Sequence, residues 1–167
     1  MVGTPMFVKS LQGVEEISQY LTNWLIAHDF DAVAEFGSDF QCDTSSNTIY
    51  WTVVVPNDLD ELFIKVCQEC QPEIINADTF LLSFFHELGH IETENEWTDR
   101  EWKNYYKFVE TPDDHTVEQY FHHPVEISAT RWGCEYIVNH IEEITEFVNG
   151  YVPLIKRFYE LNEVELG

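Results

Sequence analysis

The sequence predicts an α+β fold in which helices predominate and a small antiparallel β-hairpin or sheet precedes a central buried helix. Apolar residues recur at helical spacing through most of the 167 residues. Residues 31–55 differ, because they are rich in strand-forming residues that flank a polar turn. No repeat, low-complexity tract or Pro/Gly/Ser-rich linker divides the chain, and we therefore expect a single domain over residues 1–167.

The first part of the chain contains a helix, a hairpin and a second helix. An apolar stripe predicts the first helix from about Leu11 to His28, with the histidine as a helix-terminal core residue. Strand formers on either side of residues 43–47 predict a β-hairpin or small meander. Residues 56–58, which read Pro-Asn-Asp, end the last strand and cap a helix over residues 59–70.

Two of the four cysteines, Cys67 and Cys70, are predicted to be reduced core residues. Cys67 and Cys70 lie on the apolar face of the second helix, which favours core packing over a metal or redox role. A zinc-ribbon site would need a second C-x-x-C pair, which the sequence lacks. Because the sequence has neither a signal-peptide pattern nor a run of 18 apolar residues, we expect a cytoplasmic protein.

The central helix is predicted from Asp78 to about Glu92, with Asn76 or Asp78 as its N-cap. It lacks proline, and its residues from Phe80 to Phe85 are apolar on nearly every side, which is typical of a buried helix. Its second half contains the pentad His86-Glu87-Leu88-Gly89-His90.

Four further helical segments are predicted after the pentad. Aromatic residues alternate with charges from Glu94 to Glu110, and we interpret this aromatic stripe as core packing. Asp113 starts a short helix, and Pro124 opens a long helix that runs to His140. After the pair Asn149-Gly150, a terminal helix is predicted over residues 151–161.

The pentad predicts a metal site. His86 and His90 are four residues apart, so they lie on one face of a helix and can each give a ring nitrogen to the same ion. Glu87 lies round the helix from this pair and can act as the general base that activates an attacking water. Polar groups in a buried helix need partners, and Zn²⁺ would supply them. The alternative is a pair of core histidines satisfied by hydrogen bonds.

A catalytic zinc site needs a third protein ligand. The downstream candidates are Asp113, Asp114, His115, His122, His123 and Glu126. Glu126 is favoured because it lies in the first turn of the helix that begins at Pro124. The small residues Ala129 and Gly133 share its stripe and Gly89 matches them on the central helix, which allows a close helix crossing. The nearby histidines remain alternatives, and Glu126 is also a favourable acid at a helix N-terminus.

These residues carry a resemblance to a known family. The pentad, followed one long segment later by Glu126-Ile127-Ser128-Ala129 at a helix start, resembles the zinc peptidases of the ImmA/IrrE type. Those are small gluzincin-like proteins encoded in phages, mobile elements and stress-response operons. The resemblance implies a small zincin-like domain with His86, His90 and Glu126 as Zn²⁺ ligands and Glu87 as catalytic acid and base. Family members cut transcriptional repressors, so a basic DNA-binding protein is the implied substrate.

The chain is strongly acidic. Lys and Arg number 8 and Asp and Glu number 31, which gives a net charge of −23. This charge repels nucleic acid and anionic membranes and favours encounter with basic partners. Two alternatives to a peptidase remain open: an acidic DNA mimic, and a metal-stabilised interaction protein without catalysis. For a peptidase, Tyr105, Tyr106, Tyr120 or His122 could support the oxyanion, and a sheet edge could bind an extended substrate.

Overall fold

The computed structural model describes residues 4–5, 13–55, 58–74 and 78–161. The α-helices are α1 (Val14–Ala27), α2 (Asp58–Cys70), α3 (Thr79–Thr93), α4 (Asp99–Val109), α5 (Val117–Phe121), α6 (Pro124–Asn139) and α7 (Ile141–Leu161). Short 3-10 helices span Glu94–Glu96 and Pro112–Asp114. The strands are β1 (Thr4–Pro5), β2 (Val33–Phe36), β3 (Gln41–Asp43), β4 (Thr48–Trp51) and β5 (Val54–Val55). Helices therefore predominate, and the predicted α+β class is confirmed.

The larger sheet is mixed, whereas the sequence analysis predicted an antiparallel one. β3 and β4 form the expected antiparallel hairpin, with Cys42 opposite Ile49. β2 lies on the other side of β4 and pairs with it in parallel, with Ala34 opposite Ile49. The prediction of a purely antiparallel sheet was wrong. β4 is the most deeply buried of the three strands and takes the central position, so β2 pairs with β4 and not with β3. Because β2 and β4 run in the same direction, that pairing is parallel. A separate antiparallel ladder pairs β1 with β5.

α1 and α2 agree with the predicted helices where the structure describes them. His28 follows the last residue of α1, and its Nδ1–H donates to the Trp24 carbonyl oxygen at 2.9 Å. Cys67 is buried in α2 and Cys70 is half-buried, and none of the four cysteines is paired in a disulfide. Four positions that were used to predict helix ends, Leu11, Pro56, Asn57 and Asn76, lie outside the described residues.

α3 passes through the core, as its apolar pattern predicted. Every residue from Leu81 to His90 is buried. Asp78 is the N-cap, and its carboxylate accepts a hydrogen bond from the Leu81 backbone N–H at 2.7 Å. The Tyr151 hydroxyl of α7 donates to the same carboxylate at 2.8 Å. α6 packs along α3, and β3 and β4 also contact α3.

α4 differs from its prediction, because none of its residues is buried in the core. Trp102, Tyr105 and Phe108 are only half-buried, and Tyr106 is exposed. The charges between these aromatic residues keep the opposite face in water, so the helix lies on the surface with one aromatic face turned inward. The short helix predicted at Asp113 begins four residues later, at the start of α5, because the Thr116 capping box fixes its first turn.

α7 is longer than predicted, because it runs through Asn149 and Gly150 without a break. The Tyr20 hydroxyl packs directly against Gly150 and donates to the Phe147 carbonyl oxygen at 2.9 Å. Glycine is therefore needed there for a close approach between helices and does not mark a helix end. No helix in the described ranges, α7 included, has both the length and the apolar character needed to cross a membrane.

Candidate metal centre

The pentad lies in the second half of α3 and places both histidines on one face of the helix. The ring centroids of His86 and His90 are 4.7 Å apart, and each residue is 8% exposed. Their Nε2 atoms point towards the same carboxylate on the neighbouring helix α6. The i, i+4 spacing therefore has the geometric result expected from the sequence.

Glu126 is the residue that the structure brings to this histidine pair. Its Oε1 atom lies 2.9 Å from His86 Nε2 and 3.2 Å from His90 Nε2, and the residue is 1% exposed. One ligand atom from each of the three residues lies within 4.8 Å of the others. Within the described part of the chain, this is the group of three or more potential metal ligands that comes together.

The other candidates for a third ligand lie elsewhere. Asp113 and Asp114 are exposed in the 3-10 turn before α5. His115 stacks on Phe108 with ring centroids 3.8 Å apart, and His122 pairs with the Glu69 carboxylate at 2.9 Å. His123 is the N-cap of α6, and its Nδ1 accepts the Val125 backbone N–H.

Two glycines allow α3 and α6 to cross at backbone contact. A Cβ atom added at Gly89 would lie 3.0 Å from Ala129 Cα and closer still to the Ala129 carbonyl oxygen. One added at Gly133 would lie 2.7 Å from the Phe85 carbonyl oxygen. Real Cβ atoms do not tolerate such distances from backbone, so the crossing requires these glycines. The small-residue match predicted from the sequence is what brings Glu126 within reach of His86.

Thr130 is a site residue that the sequence analysis missed. Its hydroxyl donates to the Glu126 backbone oxygen at 3.1 Å, one turn earlier in α6, and its Oγ lies 2.8 Å from His86 Nδ1. Because the hydroxyl proton is directed at the carbonyl, His86 Nδ1–H is the donor in the second bond. That bond orients the ring so that Nε2, the nitrogen nearer Glu126, is the one that would bind a metal ion. The available signal was a hydroxyl residue four positions after Glu126 on the same helix face.

Tyr105 reaches the site from α4. Its hydroxyl donates to Glu126 Oε2, the carboxylate oxygen that does not contact the histidines. Burial, together with the negative charge of Glu126, raises the pKa of Tyr105, so the phenol stays protonated and acts as a donor. Tyr120 lies beside it and hydrogen-bonds to Tyr105. Part of the aromatic stripe of α4, which was predicted to pack in the core, thus contacts the candidate ligand Glu126 instead.

The charges of the site are arranged to hold a cation. Burial alone would raise the pKa of Glu126, but His90 and the hydrogen bonds from both imidazoles outweigh it, and the pKa lies well below its usual range. Burial would lower the pKa of His90, but the Glu126 carboxylate outweighs it and raises the pKa to about 9. The Glu126 carboxylate thus favours a positive charge between itself and the two histidines, and either a proton or a metal ion can carry that charge.

Glu87 faces the same centre without joining the group of ligands. It is 8% exposed, and burial raises its pKa, although His86 and His90 oppose that shift. The Cys42 thiol on β3 hydrogen-bonds to its carboxylate. A carboxylate with a raised pKa holds a proton more readily than an exposed glutamate does, which suits a group that must accept a proton and pass it on.

A small cleft opens beside the centre. It has a volume of about 50 Å³, which gives room for a few water molecules or one small substrate group. Its lining residues are Phe40, Phe63, Ser83, His86, Glu87, Tyr120, Phe121 and Glu126. His86, Glu87 and Glu126 form the polar end of the cleft, and most of the remaining lining is aromatic.

The residues present fit a metal ion. Two imidazoles and one carboxylate are the donor set of many catalytic zinc sites; all three side chains are buried, and hydrogen bonds from outside the group hold His86 and Glu126. Comparison with protein-family models, with curated proteins and with solved structures finds no match to this chain. The resemblance to the ImmA/IrrE peptidases therefore rests on the pentad and on Glu126-Ile127-Ser128-Ala129.

Proposed function

We propose that this protein is a zinc-dependent peptidase that hydrolyses a peptide bond of a protein substrate. His86, His90 and Glu126 would hold Zn²⁺, and Glu87 would be the catalytic base and acid. The observation that carries the proposal is the convergence of three buried ligand atoms within 4.8 Å, beside a fourth buried carboxylate that faces the same cleft. A structural zinc site is closed by four protein ligands, whereas here three ligand atoms come together and Glu87 stays outside their group, which leaves a coordination position for water or substrate.

The choice of zinc follows from the donor set. Imidazole nitrogens suit zinc, and two of them with one carboxylate leave a position for water or substrate. When bound, zinc supplies a Lewis acid that polarises a peptide carbonyl and lowers the pKa of a water molecule. Thr130 orients His86, and Tyr105 holds the far oxygen of Glu126, so the chain keeps these ligands in a fixed arrangement.

Glu87 would move the protons of the reaction. In the ionised form its carboxylate takes a proton from the attacking water, and it then gives that proton to the leaving amine nitrogen. Burial raises its pKa and brings the two protonation states closer in free energy, which favours both steps. Tyr120 also lines the cleft and keeps its proton because burial raises its pKa, so among the tyrosines considered it is well placed to donate to an oxyanion.

The sheet supports the binding of an extended peptide. β3 is an edge strand of the order β2-β4-β3, and its Cys42 contacts Glu87. A substrate strand added to that edge would therefore run past the catalytic carboxylate. The net charge of −23 favours a basic substrate, such as a DNA-binding regulator, through electrostatic attraction. The free state of all four thiols fits action in the reducing cytoplasm.

Replacing the catalytic carboxylate by its amide tests the proposal. Zinc-loaded wild type and Glu87→Gln are incubated with unfolded basic and acidic proteins, and new peptide termini are measured by mass spectrometry. We expect Glu87→Gln to bind zinc with wild-type affinity while cleavage falls about 10²- to 10⁴-fold, because the amide cannot accept a proton. Glu92→Gln is the matched control, since this exposed glutamate lies on the same helix and should be replaceable without loss.

Two outcomes would contradict the proposal. Cleavage by Glu87→Gln at the wild-type rate would refute the assigned base. Full zinc occupancy of the wild type without any cleavage, on either class of substrate, would favour the metal-stabilised interaction protein instead.

A further inference from the structure

The cleft contains a polar group that the proposed chemistry does not use. Ser83 of α3 lines it and is only 1% exposed. Within the part of the chain that the structure describes, its Oγ atom has no hydrogen-bond partner. The surrounding wall is aromatic and is formed by Phe40, Phe63 and Phe121, all of which are buried.

An unpaired hydroxyl on a buried helix is unusual, because a partner is normally available on the helix itself. Thr93 donates to the Gly89 carbonyl oxygen at 2.7 Å, and Thr145 donates to that of Ile141 at 2.7 Å. Ser83 makes no such bond with the preceding turn. A buried polar group without a partner is unfavourable, so its presence in a cleft points to a ligand that completes the bond.

The position of Ser83 relates it to the metal ligands. It precedes His86 by three residues and Glu87 by four, so the three side chains lie on neighbouring parts of one helix face. The rise along the helix between Ser83 and these residues is about 4.5–6 Å. A group bound at the ligands and a group bound at Ser83 are thus separated by about the length of one amino-acid side chain.

We propose that Ser83 and the aromatic wall form a substrate pocket for the side chain next to the cleaved bond, and that this pocket selects a neutral, polar-ended side chain of the glutamine type. The proposal rests on the proposed peptidase function. A glutamine stem packs against aromatic rings, and its amide offers both a donor and an acceptor to the hydroxyl. A charged side chain is disfavoured at this end of the cleft, because no charged group lies within hydrogen-bond distance of Ser83 Oγ and the acids of the cleft, Glu87 and Glu126, lie at the candidate metal site. A serine or threonine hydroxyl is too close to its own backbone to span the distance.

The test uses two peptide hydroxamates that differ only in the side chain next to the zinc-binding group, which is glutamine in one and methionine in the other. Methionine has a similar length and volume but cannot replace the amide hydrogen bond. Dissociation constants are measured by calorimetry on zinc-loaded wild type and Ser83→Ala. We expect the wild type to bind the glutamine compound about 5- to 150-fold more tightly, as expected when a methionine leaves the buried hydroxyl unpaired. Ser83→Ala should bind the two compounds equally or prefer methionine.

The outcomes separate this pocket from the proposed activity. Tight binding of both hydroxamates with equal constants in the wild type would overturn the pocket and leave the peptidase proposal intact. A wild-type preference that persists in Ser83→Ala would overturn the role of Ser83. Failure of both compounds to bind the zinc-loaded protein would overturn both proposals. The wild-type ratio is informative by itself, so the test does not depend on the folding of the variant.

Discussion

Gly89→Ala is the substitution that most directly tests how the fold builds the metal centre. The glycine lies on α3 between the two histidine ligands, and α6 crosses it at Ala129. A methyl group at position 89 has no free space, because backbone atoms of α6 surround it. Since backbone cannot rotate out of the way as a side chain can, the two helices must separate.

The size of the displacement follows from the contacts. The added Cβ would lie 3.0 Å from Ala129 Cα, and carbon atoms in contact prefer about 3.5–4.0 Å. The helices must therefore move apart by about 0.5–1 Å to relieve this contact, and somewhat further to relieve the closer one with the Ala129 carbonyl oxygen. Metal–ligand distances tolerate about ±0.2 Å, so Glu126 could no longer bind the same ion as His86 and His90. We expect the zinc affinity to fall by more than about 100-fold and the free energy of unfolding of the metal-free protein to fall by about 1–3 kcal/mol.

Zinc affinity is measured by competition with a chelator, and stability by thermal unfolding of the metal-free protein. Gly150→Ala is the matched control. Its added methyl group meets the end of the Tyr20 side chain, which can rotate away, and it lies outside the metal centre. Gly150→Ala should lose stability and keep wild-type zinc affinity. If Gly89→Ala also kept wild-type zinc affinity, the idea that the close crossing positions Glu126 would be refuted.

Substitutions at Glu126, Thr130 and Tyr151, with His122→Ala as a control, test the proposed ligands and their supports. Glu126→Ala and Glu126→Asp should each weaken zinc binding by more than about 100-fold, whereas His122→Ala should leave the affinity unchanged; the reverse result would reassign the third ligand. Thr130→Val should weaken zinc binding about 10- to 100-fold, because it removes the hydrogen bond that orients His86. Thr130→Ser, which keeps the hydroxyl, should retain wild-type zinc affinity. Tyr151→Phe should lower the free energy of unfolding by about 1.5–3 kcal/mol through loss of its bond to the N-cap carboxylate of α3, with zinc affinity unchanged, as calorimetry with and without metal would show.

The grouping of His86, His90 and Glu126 could be predicted from the sequence because it depends largely on local rules. Helical spacing places His86 and His90 on one face of α3. Proline at the first position of α6 fixes the start of that helix, and therefore the direction of the Glu126 side chain in its first turn. The choice of Glu126 over the nearby histidines required one long-range inference, the match of Gly89 with Ala129. That inference was possible because small residues mark close helix crossings.

The parts that could not be predicted depend on contacts between distant segments. The parallel pairing of β2 with β4 follows from the competition of three strands for the buried position, which apolar spacing alone does not decide. Gly150 resembles a helix end until Tyr20 is seen to pack against it. The hydrogen bond between Tyr105 and Glu126 joins residues 21 positions apart on different helices. A half-buried aromatic stripe does not indicate which of its rings will reach a polar partner.

The separation of the ligands along the chain has a consequence for the lifetime of the protein. His86 and Glu126 are 40 residues apart, so an ion that binds both would close a large loop and act as a reversible cross-link. By the chain-entropy relation for cross-links, a loop of that length is worth roughly 4 kcal/mol against the unfolded chain. Cellular proteases degrade the opened form of a protein in proportion to its population. The supply of metal would then set the abundance of this protein through its rate of degradation, and cells starved of zinc would lose the protein itself along with its activity.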